Sequence, residues 1–290
     1  MTPPTYSDIF KGTNDLLNKD FYHSTPLAFD VKTVAKNGVQ FTLNAKQTAA
    51  SAPLSTNLES KLLDKYNGIS LTQGWANNNT LKSKIEIADL AAGLKTDILT
   101  SVNPSNLLND DKKSLNINMD YIQPLFTARG KFNLLNGPAG FVGDFTIARD
   151  GIVAGTELQY NINGGSISKY GLALAYSAPD YSIGVAIDNK QLTTLSFNQT
   201  LNSALAIGTK ATLNPLVNAQ KVNLEFATRY TLDSANQSQV KAKINDAGNL
   251  AVSYKQLLRP GITLGVGSSF DALNLNEPVH KLGWSLSFNA

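Results

Sequence analysis

KLGWSLSFN, residues 281–289, places an apolar side chain at every second position near the end of the chain. Small or polar residues fill the positions between them. Side chains of a β-strand point alternately to opposite faces, so this stretch predicts a strand with one wholly apolar face and one small, polar face. The apolar positions are Leu282, Trp284, Leu286 and Phe288.

The same alternation recurs along nearly the whole chain from about residue 27. Clear examples are Val39, Phe41 and Leu43; Leu115, Ile117 and Met119; Tyr170, Leu172 and Leu174; and Val222, Leu224 and Phe226. Turn signals such as Asn37-Gly38, Asp150-Gly151 and Gly164-Gly165 separate the segments, and along the chain such signals recur about every 10 to 15 residues. The pattern predicts a long series of strands between residues 27 and 289, and no composition shift marks a second domain.

The composition indicates a membrane as the solvent for the apolar faces. Charged residues are 16% of the chain, below the roughly 25% typical of soluble proteins, although the mean hydropathy is only −0.14. No run approaches the roughly 18 apolar residues that a membrane-spanning helix needs. Only helices and closed barrels satisfy their backbone groups in lipid, so the sequence predicts an all-β membrane protein, a transmembrane β-barrel.

Several other classes are excluded or disfavoured. The absence of cysteine excludes disulfides and thiolate metal sites, and a net charge of +3 is too small to suggest nucleic acid as a partner. No nucleophile–base arrangement is visible, so we expect neither an enzyme nor a cofactor or metal site. Residues 1–10 lack a basic region followed by an apolar one and are no secretory signal, which favours an organelle barrel imported from the cytosol.

Residues 6–19 do not alternate, and they predict a short amphipathic helix with Ser7 as its N-cap. We therefore divide the chain into an N-terminal segment, residues 1–26, and a barrel, residues 27–290. A helix of about 14 residues is marginal alone and needs a surface to pack on. It can lie in the lumen, with Lys11 and Lys19 contacting passing phosphates, or on the membrane surface as an anchor. The lack of a strongly basic face favours the lumen.

The phase of each strand assigns its charges to the polar, inward face. About twelve basic side chains fall there against about six acidic ones, so the wall should favour anions. The alternative is that these are the solvated faces of a soluble ligand-binding barrel. The inward residues are Lys46, Lys61, Lys82, Lys84, Arg129, Lys131, Lys210, Lys221, Arg229, Lys241, Lys243 and Lys255, with Glu59, Glu86, Asp120, Asp144, Glu157 and Glu225.

Several longer motifs resemble one known family. They are PPTYSDI and NDLLNKDFYH near the start, GLK at residues 93–95, YKQLLRPGITLGVGSSFDAL from Tyr254, and HKLGWSLSF at the end. Over its whole length the chain resembles the mitochondrial outer-membrane porins, the voltage-dependent anion channels, and most of all the fungal members. The resemblance implies a 19-stranded transmembrane β-barrel with a short N-terminal α-helix in the lumen. Because nineteen is odd, one parallel seam should join about residues 27–35 to residues 280–289.

The resemblance also implies a function and its sites. It implies a voltage-gated, weakly anion-selective channel that passes small hydrophilic metabolites such as ATP, ADP, phosphate and organic anions across the mitochondrial outer membrane. Lys281, Gly283, Leu286 and Phe288 match the terminal sorting signal of mitochondrial barrels. The residues expected to contact nucleotides or other anions in the lumen are Lys11, Lys19, Lys46, Lys61, Lys84, Lys95, Leu250, Ala251, Ser268, Ser269 and Asp271. For the last five, an ordinary place in the wall is the alternative interpretation.

The implied partners are membrane lipids, adenine nucleotides and other anionic metabolites, a second copy of the chain, and cytosolic kinases at the rim, but no nucleic acid. Voltage should select between at least two conducting states, with either the helix or part of the charged wall as the moving element. Besides the soluble barrel, the alternative is the protein-import pore of the same membrane. That pore should carry extensions beyond the barrel, and this chain has almost none after Phe288.

Overall fold

The structure is a computed structural model that describes residues 2–49, 51–106, 113–135, 139–216, 222–233, 235, 237–276 and 280–289. Within these ranges it contains nineteen strands, one short α-helix and three 3₁₀ turns, the first two at Tyr6–Asp8 and Tyr22–Ser24 and the third at Pro104–Asn106. The helix, α1, spans Lys11–Asn18. The predicted number of strands is confirmed.

The strands follow one another with little else between them. The first ten are Leu27–Val34 (β1), Gln40–Gln47 (β2), Ser55–Asp64 (β3), Ile69–Ala76 (β4), Leu81–Ala91 (β5), Leu94–Val102 (β6), Ser114–Ile122 (β7), Phe126–Leu135 (β8), Gly140–Arg149 (β9) and Ile152–Asn161 (β10). The remaining nine are Ser166–Ser177 (β11), Tyr181–Asp188 (β12), Thr193–Thr200 (β13), Leu205–Leu213 (β14), Val222–Asp233 (β15), Ser238–Asn245 (β16), Asn249–Arg259 (β17), Ile262–Asp271 (β18) and Lys281–Asn289 (β19).

The pairing of the strands closes the sheet into a barrel. Each strand from β2 to β18 pairs with its two neighbours in the chain, while β1 pairs with both β2 and β19. The β1–β19 pair is parallel, with Leu27 opposite Trp284 and Lys32 opposite Asn289. The predicted parallel seam is confirmed, and the first and last strands leave no free edge, which a sheet in lipid requires.

Apolar side chains are exposed on one face of the strands while small or polar ones are covered on the other. In β19, Leu282 is 69% exposed, whereas Gly283 and Ser285 are buried. Soluble proteins bury most of their large apolar side chains, so the exposure of these side chains fits a lipid-facing surface. Further exposed members of this face are Leu58, Leu62, Leu71, Trp75, Ile85, Leu172, Leu174, Leu195, Leu224 and Phe226.

None of the helices in the described ranges combines the length and the apolar character that a membrane-spanning helix needs.

The Cα positions group the chain into two compact units. One contains residues Thr33–Thr42 and Thr56–Leu174, together with the N-terminal residues up to Ile9. The other contains α1 and the residues that follow it up to Lys32, residues Leu43–Ser55, and the strands β12–β19. In this second unit Leu16 and Leu17 of α1 form a small buried cluster with Ala206 and Ala227.

The predicted helix over residues 6–19 is wrong in its extent. The structure has a 3₁₀ turn at Tyr6–Asp8 and an eight-residue helix at Lys11–Asn18, separated by non-helical backbone at Phe10 (φ −104°, ψ 23°). Ser7 is not an N-cap, because its hydroxyl accepts a hydrogen bond from Arg129 instead. No side chain caps the start of α1, and Gly12 weakens it further, so packing and not propensity fixes its length.

Candidate functional site

The first residues of the chain lie against strands β8–β10. The hydroxyl of Thr127 donates to the Pro3 carbonyl (2.8 Å), and the hydroxyl of Thr146 donates to the Pro4 carbonyl (2.5 Å). Gly155 leaves room for Ile9, since a Cβ there would lie 2.7 Å from the Ile9 Cδ1 atom. Neutral hydrogen bonds and one close apolar contact therefore hold this end of the chain.

Helix α1 packs on strands β13–β15, on the face opposite to the exposed apolar side chains. Leu17 is fully buried and Thr13 is 1% exposed. Gly208 of β14 lies directly beneath Leu16, because a Cβ at that glycine would lie 3.4 Å from the Cβ of Leu16. Burial of a leucine side chain stabilises by about 1.5–3 kcal/mol, so these contacts supply the surface that so short a helix needs.

Two lysines of β16 bind the C-terminal end of α1. The Nζ atom of Lys241 donates to the carbonyls of Asp15 (2.8 Å) and Lys19 (2.7 Å), and the Nζ atom of Lys243 donates to the carbonyl of Leu17 (3.0 Å). The last carbonyls of a helix have no partner within it and carry a partial negative charge. Since α1 has no basic residue in its own last turn, the wall supplies the cations.

The same ammonium groups lie over the ring of Phe21, at 5.0 Å (Lys241) and 4.8 Å (Lys243) from its centroid. Phe21 is buried, and Lys241 is only 4% exposed. A cation over an aromatic face is stabilised by about 0.5–2 kcal/mol when it is partly desolvated. We call Lys241 and Lys243, with the α1 carbonyls and Phe21 that they contact, the lysine clamp.

Asp20 extends the attachment to β16 and β17. Its carboxylate accepts hydrogen bonds from Lys255 (3.2 Å) and Gln239 (3.4 Å), and more weakly from the Tyr22 hydroxyl (3.5 Å). Its backbone is left-handed, with φ 60°, a conformation that Asp tolerates better than most residues. Burial, followed by the charge of Asp20 and the hydrogen bond to it, raises the pKa of the Tyr22 phenol far above its ordinary value.

Three glycines of β18 and β19 make room for the 3₁₀ turn Tyr22–Ser24. The ring of Tyr22 lies on Gly265, and a Cβ at Gly267 would lie 2.9 Å from the backbone nitrogen of Tyr22. At Gly283 a side chain would clash with the carbonyls of Tyr22 and Thr25. These glycines bring the backbone of the N-terminal segment close to the wall.

A cavity of about 360 Å³ remains between α1 and this part of the wall. Its charged lining residues are Asp15, Lys19, Asp20, Arg229, Lys241 and Lys255, so cations outnumber anions by four to two. Arg229 lies directly opposite Lys241 on the neighbouring strand. Like charges in such a position repel one another, and here Lys241 is compensated by the carbonyls of α1.

On strands β3–β6 the inward lysines are paired with acids. Glu86 accepts from Lys61 (3.0 Å), from Lys84 and from the Ser70 hydroxyl (2.5 Å), and Lys95 lies 3.7 Å from it. Asp97 lies 3.4 Å from Lys84 and 3.8 Å from Lys95. Three lysines predicted to contact anions therefore share two carboxylates.

The pairing continues along β7–β11. Arg129 donates to Asp144 through its Nε atom (2.6 Å), and Lys169 donates to Glu157 (3.1 Å). Asp120 lies opposite Arg129 in the β7–β8 pair. At the described inward positions of β3–β11 the chain has seven basic and six acidic residues, which are Lys61, Lys82, Lys84, Lys95, Arg129, Lys131 and Lys169, with Glu59, Glu86, Asp97, Asp120, Asp144 and Glu157.

The other predicted lysines differ from these. Lys11, Lys19 and Lys46 are exposed, and none of the described residues forms an ion pair with any of them. Lys19 also lines the cavity beside α1. Lys221 lies outside the described residues.

The predicted nucleotide residues of β17 and β18 lie on two faces. Ala251 and Ser269 are opposite each other and line a cavity of about 190 Å³ that also includes His23, Glu225 and Lys243. Because neighbouring side chains in a strand alternate, Leu250 and Ser268 point to the other face, which corrects their predicted place in the lumen. Asp271 accepts hydrogen bonds from the backbone of Leu273 (2.9 Å) and the side chain of Asn274 (3.2 Å) in its own turn.

The residues of the predicted sorting signal occupy both faces of β19. Leu286 and Phe288 lie on the apolar face, where the Phe288 ring packs 5.5 Å from that of Phe29 across the seam. Lys281 and Gly283 lie on the other face. Gly283 therefore has a packing role beneath Tyr22, whatever part it has in sorting.

Three charged residues of the site, Asp97, Lys169 and Asp20, were not among those predicted from the sequence. Asp97 lies two residues from Lys95 on one strand, so the alternation alone would have placed it inward. Lys169 is on the inward phase of β11 for the same reason. No sequence signal identifies Asp20, whose role depends on a left-handed turn that brings it to Lys255.

The described residues contain no group of three or more His, Asp or Glu side chains that could hold a metal ion. Many of the inward charges lie in pairs with one another or with the N-terminal segment. Such an arrangement can attract and position small ions along a wall.

Comparisons with known proteins agree on one family. A sequence profile for eukaryotic porins matches residues 2–283. Over 290 residues the chain is 56% identical to a Saccharomyces cerevisiae protein named non-selective voltage-gated ion channel 1, and the match covers 100% of both chains. It is 45% identical over 292 residues to the mitochondrial outer membrane protein porin of Candida albicans, and 39% identical over 292 residues to that of Neurospora crassa, again with 100% of each chain covered.

Among solved structures, a triple mutant of the porin of Rhodopseudomonas blastica superposes with a TM-score of 0.51. The match covers 83% of this chain and 92% of that chain at 9% sequence identity. At so low an identity it supports the barrel fold alone.

Proposed function

The chain belongs to the eukaryotic porin family, and from this premise we propose that it is a voltage-gated channel of the mitochondrial outer membrane. It passes small hydrophilic solutes and weakly prefers anions. It is not an enzyme. Residues 1–26 form a segment attached inside the pore, and residues 27–290 form the membrane-spanning barrel.

The observation that carries this proposal is the division of the strands into an exposed apolar face and an inward charged face. A closed barrel with this division can rest in lipid and enclose water. With about 4.8 Å between strands and a tilt of about 40°, nineteen strands give a backbone radius of roughly 19 Å. A helix about 10 Å across on the inner wall narrows such a pore and leaves it open.

The anion preference rests on the part of the wall that faces α1. At the described inward positions of β13–β17 there are five cations and one acid, namely Lys210, Arg229, Lys241, Lys243 and Lys255 with Glu225. The attached segment adds Asp15, Lys19 and Asp20. The excess of positive charge raises the local concentration of anions, while the wide pore keeps the preference weak.

The solutes are those of the size and charge of phosphate, ADP, ATP and organic anions. Lys11, Lys19 and Lys46 contact them transiently, because these exposed ammonium groups form no ion pair with any acid in the described part of the chain. Lys61, Lys84 and Lys95 contact them less, since each shares a carboxylate. Of the five predicted nucleotide residues of β17 and β18, Ala251 and Ser269 keep the stronger case, as they line the cavity beside His23.

The remaining assignments concern assembly. Lys281, Gly283, Leu286 and Phe288 form the signal by which the barrel is sorted to its membrane. Membrane lipids surround the exposed apolar face. A second copy of the chain and cytosolic kinases at the rim are further proposed partners.

Two other functions are less well supported. A soluble ligand-binding barrel would leave the exposed apolar face in water, where it would aggregate. A protein-import pore would share the fold, but the proteins that match this chain over 100% of both lengths are named as an ion channel or as porins.

The experiment is single-channel recording of the purified protein in a planar bilayer. We expect a large aqueous conductance that falls to a lower level as voltage is raised, and a reversal potential in a salt gradient that favours anions. A channel with cation preference would contradict the assignment of the inward charges. A flotation assay with liposomes tests the membrane assignment itself, and failure of the protein to float would contradict it.

A further inference from the structure

His23 lies next to the lysine clamp. Its ring packs edge-on against Phe21, with 6.0 Å between the ring centroids. The ammonium groups of Lys241 and Lys243 lie over this same Phe21 ring. A change in the charge of His23 can therefore affect the lysine clamp through the side chain of Phe21.

The environment of His23 favours a neutral imidazole. Its Nδ1 atom is buried and has no hydrogen-bond partner among the described residues. Burial, then the charge of Lys243, then that of Lys281, lowers the pKa of His23 from its ordinary value near 6.5. Glu225 is the acid that lines the shared cavity, and the part of β18 beneath the turn contributes the uncharged Gly265, Gly267 and Ser269.

We propose that His23 is a proton sensor for the attachment of the N-terminal segment to the wall. Protonation puts a third cation beside Lys243 and Lys281. Lys243 then holds the Leu17 carbonyl and the Phe21 ring less well, and a released state of residues 11–25 is favoured. This inference goes beyond ion conduction and does not depend on which solutes pass.

The direction with pH follows from proton linkage. In the released state His23 meets water and titrates near its ordinary value, so the released state binds a proton more readily than the attached state. The attachment is fully stable above about pH 6.5 and weakens as the pH falls below it. The loss stops once the pH is below the lowered pKa of the attached His23, because both states then carry the proton.

The chain offers a direct readout because it has no cysteine. Thr13→Cys places one thiol in α1 at a position that is 1% exposed in the attached state. Its rate of reaction with a membrane-impermeant maleimide measures release. Dividing each rate by that of the same protein in denaturant at the same pH removes the titration of the thiol itself.

Three proteins are compared at about pH 7.5 and about pH 5. They are Thr13→Cys alone and the same change combined with His23→Gln or with His280→Gln, the exposed second histidine of the chain. We expect the normalised rate to rise by at least about threefold on acidification in the first and third proteins and to stay constant in the second. Circular dichroism should show the same strand content in all three.

An equal rise in the His23→Gln protein would overturn the proposal, and so would the absence of any rise in Thr13→Cys alone. If His23→Gln does not fold, His23→Asn is used, since its shorter amide also cannot gain a proton. Labelling needs no channel current, so its outcome is independent of the bilayer test of the proposed function. If the sensor operates in the channel, voltage closure of the unmodified protein should also change between the two pH values, and His23→Gln should remove that change.

Discussion

The inward faces of β3–β11 and of β13–β17 both contain many lysines, but they compensate their charge differently. On β3–β11 the acids come from neighbouring strands, as where Glu86 and Asp97 share Lys61, Lys84 and Lys95. On β13–β17 the groups that compensate the lysines come from the N-terminal segment. They are the carbonyls at the end of α1 and the carboxylate of Asp20. The first wall is nearly balanced by itself, whereas the second keeps an excess of cations, part of which is compensated only by the attached segment.

This difference changes what a count of lysines means. A paired lysine adds little to the field in the lumen, and it holds the wall together. An unpaired one attracts anions. The second wall also places Arg229 directly opposite Lys241, a repulsive pair that the segment relieves. Attachment of the segment therefore also changes the electrostatic field of the second wall.

The largest effect on selectivity is expected from reversing charges in the second region. Lys19→Glu combined with Arg229→Glu removes two exposed cations beside α1 and adds two acids in their place. The nearby Lys241 and Lys255 keep the new carboxylates ionised. We expect the reversal potential in a salt gradient to move from anion preference to cation preference. An unchanged value would show that our division into inward and outward faces is wrong.

The matched change in the first wall should do less. Lys61→Glu with Lys84→Glu reverses the same number of charges but places the new acids beside Glu86 and Asp97. Close carboxylates raise one another's pKa, so part of the new negative charge takes up protons. A shift as large as that of the first pair would contradict the comparison.

Removal of one clamp lysine should release the segment without removing the barrel. Lys241→Met keeps the length of the side chain but loses two hydrogen bonds to carbonyls. The attachment should weaken by about 2 kcal/mol, since a hydrogen bond to a charged group is worth about 1.5–3 kcal/mol. Amide hydrogen exchange of α1 in detergent measures the change. Lys210→Met is the control, because no hydrogen bond of that lysine to the segment is present in the described chain.

A smaller effect is expected from Glu86→Gln. It removes the acid that three lysines share, so these should become available to anions and the preference for anions should increase. Glu59→Gln removes the same charge from a residue that accepts a hydrogen bond only from the Asn57 amide (2.6 Å) among its described contacts. Reversal potentials of the two variants are compared, and a larger shift for Glu59→Gln would contradict the special role of Glu86.

Much of the fold could be predicted from the sequence because a barrel in lipid repeats one rule. Each strand must be apolar on one side, so KLGWSLSFN at the end and its many counterparts indicate both the strands and their faces. The alternation also places Lys61, Lys84 and Arg129 inward, where the structure has them. The odd number of strands, known from the family resemblance, requires the parallel seam of β1 and β19 that the structure contains.

The contacts of the N-terminal segment could not be predicted, because they depend on tertiary packing. Nothing in residues 6–19 shows that the helix ends at Asn18 or that lysines of β16 bind its last carbonyls. Gly265, Gly267 and Gly283 appear in the sequence as small residues of a polar face, and only the structure shows Tyr22 above them. The face on which Leu250 and Ser268 lie could have been predicted. Each is the direct neighbour of an inward residue, Ala251 or Ser269, so strand alternation alone contradicts the prediction taken from related channels.

The most direct test of this account is a disulfide between α1 and the wall. Leu16→Cys with Gly208→Cys joins two positions whose Cβ atoms would lie 3.4 Å apart, close to the 3.5–4.5 Å that a disulfide favours. The cross-linked channel is recorded in a planar bilayer before and after reduction. If the attached segment belongs to the conducting state, the oxidised channel should carry the full open current with the same reversal potential as the reduced one. An oxidised channel fixed at a low conductance, restored by reduction, would show that the attached segment belongs to a closed state.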